Sequence, residues 1–240
     1  MVDVDEAFLL RHADDNLVLA QRLGEYVTCA PDLEQDIAVA NFALDHIGVA
    51  MHLYDYAADI AVGHADRDRY AMTRTEREFR NVLLVEQPHP DYAFVIARGL
   101  LFDLYQVRLW GRLSVHPDLR LAGIAGRAGK EARYHLRYSR SWMIRLGDGT
   151  EESHQRMQTA IDDLWRFTAE LFESFPGEDD NAAFDEYVDE LGSILDEATL
   201  TIPADPYQAS GGRDGWHTEH LGHLLADLQW LARTHPDATW

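Results

Sequence analysis

The sequence has few basic residues and only one cysteine. Its 240 residues include 21 Lys and Arg against 42 Asp and Glu, a formal net charge of -21 at pH 7. A field of this sign repels phosphate backbones, so nucleic acid is not an expected partner. Cys29 has no second cysteine with which to form an intrachain disulfide, which fits a reducing compartment.

Long apolar runs and the motifs of several enzyme classes are also missing. The longest apolar stretch, residues 92–102, is broken by Arg98 and is too short to span a bilayer. The first six residues are acidic overall, where a signal peptide would be basic. Neither a Gly-x-Ser-x-Gly nor a Gly-x-Gly-x-x-Gly motif occurs. We therefore expect a cytoplasmic protein without a membrane segment.

What the sequence does contain is helical periodicity through most of its length. Apolar residues recur every three or four positions, most clearly over 33–62, which predicts one long amphipathic helix. Helices are predicted at about 13–29, 33–62, 73–87, 91–114, 117–146, 150–175, 178–200 and from about 216 onward. Long helices joined by short connections favour an all-α antiparallel bundle. We predict a single domain over 1–240, with a core at about 13–175 and a C-terminal helical extension at about 178–240.

A helical bundle can hold a carboxylate-bridged di-iron centre, so we searched for its ligands. Such a centre takes one Glu from each of two helices and a Glu-x-x-His pair from each of two others. We expect no such pair in the predicted bundle core, where Ala132 stands three residues before His135. Asp45 and Asp103 lie on or beside apolar rows. With His135 they are interpreted either as a metal site or, as we favour, as a buried polar network.

Two further clusters have alternative interpretations. His217, Glu219, His220 and His223 could hold a metal, but Glu219 near a helix start also favours the helix dipole without one. A basic strip recurs at three- and four-residue steps along one predicted helix and consists of Arg127, Lys130, Arg133, Arg137 and Arg140. It is either a solvated face paired with carboxylates or a docking strip for an acidic protein or a phosphate-bearing ligand.

Six segments resemble the PaaC-type subunits of phenylacetyl-CoA epoxidases, in order over nearly the whole chain. They include Lys-Glu-Ala-Arg-Tyr-His-Leu-Arg-Tyr-Ser at 130–139 and Gly-Trp-His-Thr-Glu-His-Leu-Gly at 215–222, which carries the C-terminal family motif His217, Glu219 and His220. The others are 16–26, 81–88, 164–172 and 197–200. The resemblance implies a ferritin-like bundle with additional C-terminal helices.

The resemblance also implies that the di-iron centre belongs to a related catalytic subunit of the PaaA type. Aligned with that relative, the ligand positions fall on Asn16, on Asp45 and Gly48, near Asp103, and on Ala132 and His135. Asn, Gly and Ala stand where a metal needs charged or imidazole donors. We therefore expect vestigial ligand positions, no catalytic residue and no cofactor in this chain.

The expected function is that of a non-catalytic structural subunit. It would assemble with the catalytic subunit, and possible further contacts are the reductase component and a second copy of the chain. The complex would epoxidise the aromatic ring of phenylacetyl-CoA in aerobic phenylacetate breakdown. The alternatives are an active di-iron oxygenase with an atypical ligand set and a stand-alone homodimeric ferritin-like binding protein.

Overall fold

A computed structural model of the chain describes residues 4–62, 66–173, 180–205, 207–236 and 238. Helices account for all regular secondary structure in these ranges, which confirms the all-α prediction. The α-helices are α1 (Glu6–Tyr26), α2 (Leu33–Ile60), α3 (Arg67–Met72), α4 (Leu83–Glu86), α5 (Tyr92–Leu113), α6 (Leu119–Gly147), α7 (Glu151–Trp165), α8 (Asp180–Glu197) and α9 (Glu219–Thr234). Short 3₁₀ turns lie at Glu76–Glu78, Ala169–Phe172 and Gly212–Asp214.

The chain divides into two compact units. The N-terminal unit combines residues 3–88 with 210–240, and the central unit comprises 89–209. The segment expected to form one C-terminal extension is therefore shared, with α8 in the central unit and α9 in the N-terminal unit. The single-domain organisation of residues 1–240 stays a prediction.

The N-terminal unit is built on the helical pair α1 and α2. Asp5 caps α1 by accepting a hydrogen bond from Phe8 N at 2.7 Å, so the helix begins at Glu6 and not near residue 13 as predicted. Asp32 caps α2 by accepting a hydrogen bond from Gln35 N at 3.1 Å. The two helices pack along each other and are joined by only six residues, 27–32, so they run antiparallel.

Helix α2 has two apolar sides, and only one of them packs. Its buried residues are Val39, Phe42, Ala43, His46, Val49, Ala50, Leu53, Tyr54, Tyr56 and Ala57. By contrast Ile37, Leu44 and Met51, which gave the segment its periodic pattern, are 53%, 64% and 38% exposed. By length and composition alone α2 could also cross a membrane, although it contains no long uninterrupted apolar run. Core helices of soluble proteins share this property.

The helix predicted from Thr73 or Thr75 to Gln87 is wrong. Thr73 ends α3, and Thr75 begins a 3₁₀ turn whose Glu78 accepts a hydrogen bond from Thr75 N at 2.8 Å. Only the four residues of α4 are α-helical in the rest of this segment. Helix α9 packs on α3, where the buried amide of Gln229 donates to the carbonyl groups of Ala71 and Arg74.

The central unit is built on a second long pair, α5 and α6, with α7 and α8 packed against it. The predicted stop between α6 and α7 is confirmed: α6 ends at Gly147, and Thr150 Oγ1 caps α7 by accepting from Ser153 N at 3.2 Å. Helix α7 ends at Trp165, about ten residues before the predicted end. The predicted turn at 176–177 lies outside the described residues.

Candidate functional site

The first predicted ligand position, Asn16, is fully buried on α1. Its Oδ1 lies 2.8 Å from Nδ1 of His46 on α2, and its Nδ2 donates to the carbonyl oxygen of His12 at 2.8 Å. The amide oxygen can accept the proton of the imidazole nitrogen. Asn16 thus links the two helices of the N-terminal unit through a buried hydrogen bond.

The positions predicted on α2 do not lie on its buried face. Asp45 and Gly48 are only partly buried, and a Cβ added to Gly48 would meet nothing within 4 Å. The inward position is His46, one residue after Asp45, and it is 5% exposed. The register predicted for the first Glu-x-x-His pair is therefore turned away from the packed side of the helix, because that side follows residues 39, 42, 46, 49 and 53.

In the central unit, the predicted residues do share one buried face between α5 and α6. Asp103 Oδ2 accepts a hydrogen bond from Ser139 Oγ at 2.8 Å, and the ligand atoms of Asp103 and His135 lie within 4.8 Å of each other. Ala132 is buried one turn before His135. Burial raises the pKa of Asp103 to about 7, an effect opposed by the nearby His135 and by the hydrogen bond from Ser139.

Two Glu-x-x-His sequences, Glu86–His89 and Glu151–His154, do lie within residues 13–175, contrary to the expectation for the core. Glu86 accepts a hydrogen bond from Thr218 N at 2.7 Å, and the second pair stands at the start of α7. Glu151 is exposed in the first turn, and His154 Nδ1 lies 2.8 Å from the carbonyl oxygen of Gly147. The second pair therefore belongs to the α6–α7 turn and does not point into the bundle.

Two buried carboxylate–arginine pairs involve α1 and were not predicted. Asp14 pairs with Arg74 and accepts a hydrogen bond from Tyr54 Oη at 2.6 Å. Asp15 accepts two hydrogen bonds from Arg213, each 2.9 Å long. Both carboxylates are completely buried. A paired, hydrogen-bonded environment is what makes buried charges tolerable.

These two carboxylates also bind the backbone of the segment that follows α3. Asp14 Oδ2 accepts from Arg80 N, and Asp15 Oδ1 accepts from Val82 N, each at 2.8 Å. Arg213 further donates to the carbonyl oxygen of Arg80 at 2.8 Å. The sequence signal is the run Asp-Asp-Asn at 14–16, directly before the apolar residues 17–20 of α1, but nothing local indicates its distant partners.

The residues of the C-terminal family motif form hydrogen bonds within the fold. In the described part of the chain, their ligand atoms do not surround one common point. His217 Nδ1 lies 3.0 Å from Glu86 Oε2, and its Nε2 lies 3.1 Å from the carbonyl oxygen of Phe79. Glu86 also accepts from Thr218 N at 2.7 Å. His220 contributes its carbonyl oxygen to Arg22 at 3.1 Å, while Glu219 and His223 are exposed. The motif fastens the C-terminal segment to α1 and α4 within the N-terminal unit.

The basic strip lies on α6, as predicted, with most of its side chains exposed. Two of its members have carboxylate partners: Arg127 reaches Glu131 at 3.3 Å and Arg140 reaches Glu197 at 2.7 Å. The guanidinium of Arg137 lies 5.2 Å from the ring centroid of Tyr134. A groove of about 690 Å³ between α6 and α8 is lined by Arg133, Arg137, Arg140, Glu190 and Glu197 among others.

Comparisons with known proteins identify the family of the chain. The family described as "Phenylacetic acid catabolic protein" matches residues 5–240. The chain belongs to this family. It is 47% identical to the C-type subunit of the 1,2-phenylacetyl-CoA epoxidase of Escherichia coli (strain K12), over 98% of both chains. The resemblance to the PaaC type and the ferritin-like, all-α class predicted from it are thereby confirmed.

Among the described residues, the donors that share the buried face between α5 and α6 are too few for a di-iron ligand set. Such a centre takes four carboxylates and two histidines, including two Glu-x-x-His pairs. The α5–α6 pair offers Asp103 and His135, with Ala132 at the position that the motif requires to be Glu. The buried carboxylates of α1, Asp14 and Asp15, are already bound by arginines, whose charge repels a metal cation.

Proposed function

We propose that this chain is the non-catalytic structural subunit of a multicomponent monooxygenase. The enzyme epoxidises the aromatic ring of phenylacetyl-CoA in phenylacetate breakdown, and the catalytic, di-iron-holding chain is a homologous PaaA-type partner. The observation that carries the proposal is the end-to-end similarity to the C-type subunit of such an epoxidase, at 47% identity. The small number of possible iron ligands between α5 and α6 supports a non-catalytic role for this chain beside a catalytic partner.

The buried polar residues fit a scaffold better than a reaction centre. In the N-terminal unit, Asp14, Asp15 and Glu86 each accept several hydrogen bonds that fasten loops to helices. In the central unit, Asp103 is satisfied by Ser139. A fold held by such internal bonds can present fixed surfaces to a partner, which is the role we propose. We further propose that the protein resides in the cytoplasm, where its exposed Cys29 stays reduced.

The basic strip is proposed as one of these surfaces. Within the described part of the chain, Arg133 and Arg137 form no ion pair, although the chain as a whole carries an excess of carboxylates. Guanidinium groups beside a groove match carboxylates or phosphates of another molecule. The strip would therefore bind an acidic surface of the catalytic chain or of the reductase component.

Co-expression tests the proposal directly. A tagged copy of this chain should retain the PaaA-type chain of the same organism through purification. The chain alone, loaded anaerobically with ferrous iron and desalted, should hold far less than one iron per chain and form no epoxide when supplied with reductase.

Two outcomes favour the alternatives. Two tightly bound irons with product formation by the isolated chain would indicate an active oxygenase with an atypical ligand set around Asp45, Asp103 and His135. A stable homodimer that never retains the PaaA-type chain would indicate a stand-alone binding protein.

A further inference from the structure

The outward side of α2 carries a continuous apolar row with no covering element among the described residues. The row, called here the α2 seam, consists of Leu33, Ile37, Ala40, Leu44, Ile47 and Met51. Its members follow one another at steps of four, three, four, three and four residues. Leu33 is 70% exposed, Ile37 53% and Leu44 64%. The opposite side of α2 is the one that packs on α1.

The spacing of the α2 seam indicates the shape of what covers it. Alternating steps of three and four residues give a seven-residue repeat, which keeps apolar side chains facing a second helix that winds along the first. From Leu33 to Met51 the seam is about 27 Å long at 1.5 Å per residue. Single exposed apolar residues are ordinary on a soluble protein, but a contiguous row marks an interaction site. An amphipathic helix is the matching partner.

The charges of α2 restrict which helix this can be. The helix carries Glu34, Asp36, Asp45, Asp55 and Asp59 and contains no Lys or Arg. Glu34 and Asp36 stand at the positions that flank the seam in the seven-residue repeat. Asp55 lies beyond Met51 and pairs with Arg67 at 3.5 Å. A second copy of α2 lying against the first would place carboxylates beside carboxylates. Anionic lipid headgroups would meet the same repulsion. The complementary partner therefore carries Lys or Arg beside its own apolar seam.

We propose that the α2 seam is the surface on which this chain docks an amphipathic, basic-flanked helix of the catalytic subunit. The inference rests on the proposed function, since it assigns that partner to a particular face. It is independent of the basic strip, which lies on α6 in the other unit. One docking surface is mainly apolar and the other is cationic, so added salt should weaken binding at the cationic surface more strongly.

The test compares four forms of the full chain, each co-expressed with the PaaA-type chain and assayed for complex formation and dissociation constant. Ile37→Glu and Leu44→Glu place a charge in the seam. Leu119→Glu is the matched control, because Leu119 is 85% exposed at the start of α6 and lies outside the seam. We expect the seam variants to weaken the complex by about tenfold or more, as for central apolar anchors of an interface. The control should bind like the wild type, and circular dichroism should show equal helicity in all four.

The outcomes separate this inference from the proposed function. If the wild type forms no complex, the proposed function fails. If it forms one that the seam variants leave unchanged, the proposed function stands and the α2 seam is overturned. Two further measurements use the chain alone. A wild-type homodimer that Leu44→Glu dissociates, or binding to anionic vesicles that Leu44→Glu abolishes, would show another occupant and overturn the inference. Weaker binding by Glu34→Lys, greatest at low salt, would support the basic-flanked partner.

Discussion

Replacing Asp103 by Asn should change how the stability of the protein depends on pH. Asp103 is buried between α5 and α6, and burial raises its pKa from 3.8 to about 7. In the folded state the carboxyl group therefore keeps a proton that the unfolded chain releases at lower pH. Its contribution to stability is fully present below the unfolded pKa and is lost as the pH rises through the folded pKa.

The size of the effect follows from the pH interval between the unfolded and the folded pKa of Asp103. One pKa unit corresponds to about 1.4 kcal/mol, so a window of roughly three units bounds the loss at about 4 kcal/mol. Between about pH 5 and pH 8 the window covers roughly two units, or about 2.7 kcal/mol. Asn has the same shape as Asp and its Oδ1 still accepts from Ser139, but it does not titrate. The free energy of unfolding of Asp103→Asn minus that of the wild type should rise by about this amount across the range.

Urea unfolding followed by circular dichroism, at several pH values from about 5 to about 8, measures this difference. Asp227→Asn is the matched control, since Asp227 is exposed on α9. The control should differ from the wild type by less than about 0.5 kcal/mol at every pH. A flat difference for Asp103→Asn would refute the reasoning, because it would mean that Asp103 is already ionised in the folded protein at pH 5.

Three further predictions concern the buried pairs and the basic strip. Arg213→Met removes the ion-pair partner of the buried Asp15 carboxylate and should lower the free energy of unfolding by about 3–5 kcal/mol in a urea titration. The double variant with Asp15→Leu should recover part of this loss. No recovery in the double variant would contradict the ion-pair account. His217→Phe removes hydrogen bonds to Glu86 and Phe79 and should cost about 1–3 kcal/mol in the same assay. Its metal content should equal that of the wild type, and loss of a stoichiometric zinc or iron would instead identify a metal site. The double variant Arg133→Glu, Arg137→Glu should weaken binding to the catalytic chain or the reductase, and the loss should be largest at low salt. Arg166→Glu is the control, since Arg166 is exposed and lies outside the strip. Unchanged affinity of the double variant at low salt would show that the strip is only a solvated face.

The ends of most long helices were predictable from the sequence because capping is local. Asp32 and Thr150 accept hydrogen bonds from backbone groups three residues later, and Gly147 ends α6 where the Gly-Asp-Gly-Thr pattern indicated. Interactions this short in sequence separation leave a readable pattern. The family resemblance was equally accessible, since it depends on the order of residues alone.

The segment after α3 shows where local patterns fail. Its helical periodicity predicted a helix up to Gln87, but Asp14 and Asp15 take the backbone N–H groups of Arg80 and Val82. Those acceptors lie more than sixty residues away in the chain. Burying two carboxylates requires donors, and the segment provides them in an irregular conformation that a helix could not offer.

By itself the sequence determined the helical class, the main helix boundaries and the family of this protein. It also singled out Asp103, Ala132 and His135, which the tertiary structure brings onto one buried face between α5 and α6. Only the tertiary structure decided which of the two apolar sides of α2 is buried, and that His46, not Asp45, points inward. Periodicity describes one helix in isolation, whereas burial depends on where the neighbouring helices lie. The apolar side left open is the one that we propose for a partner.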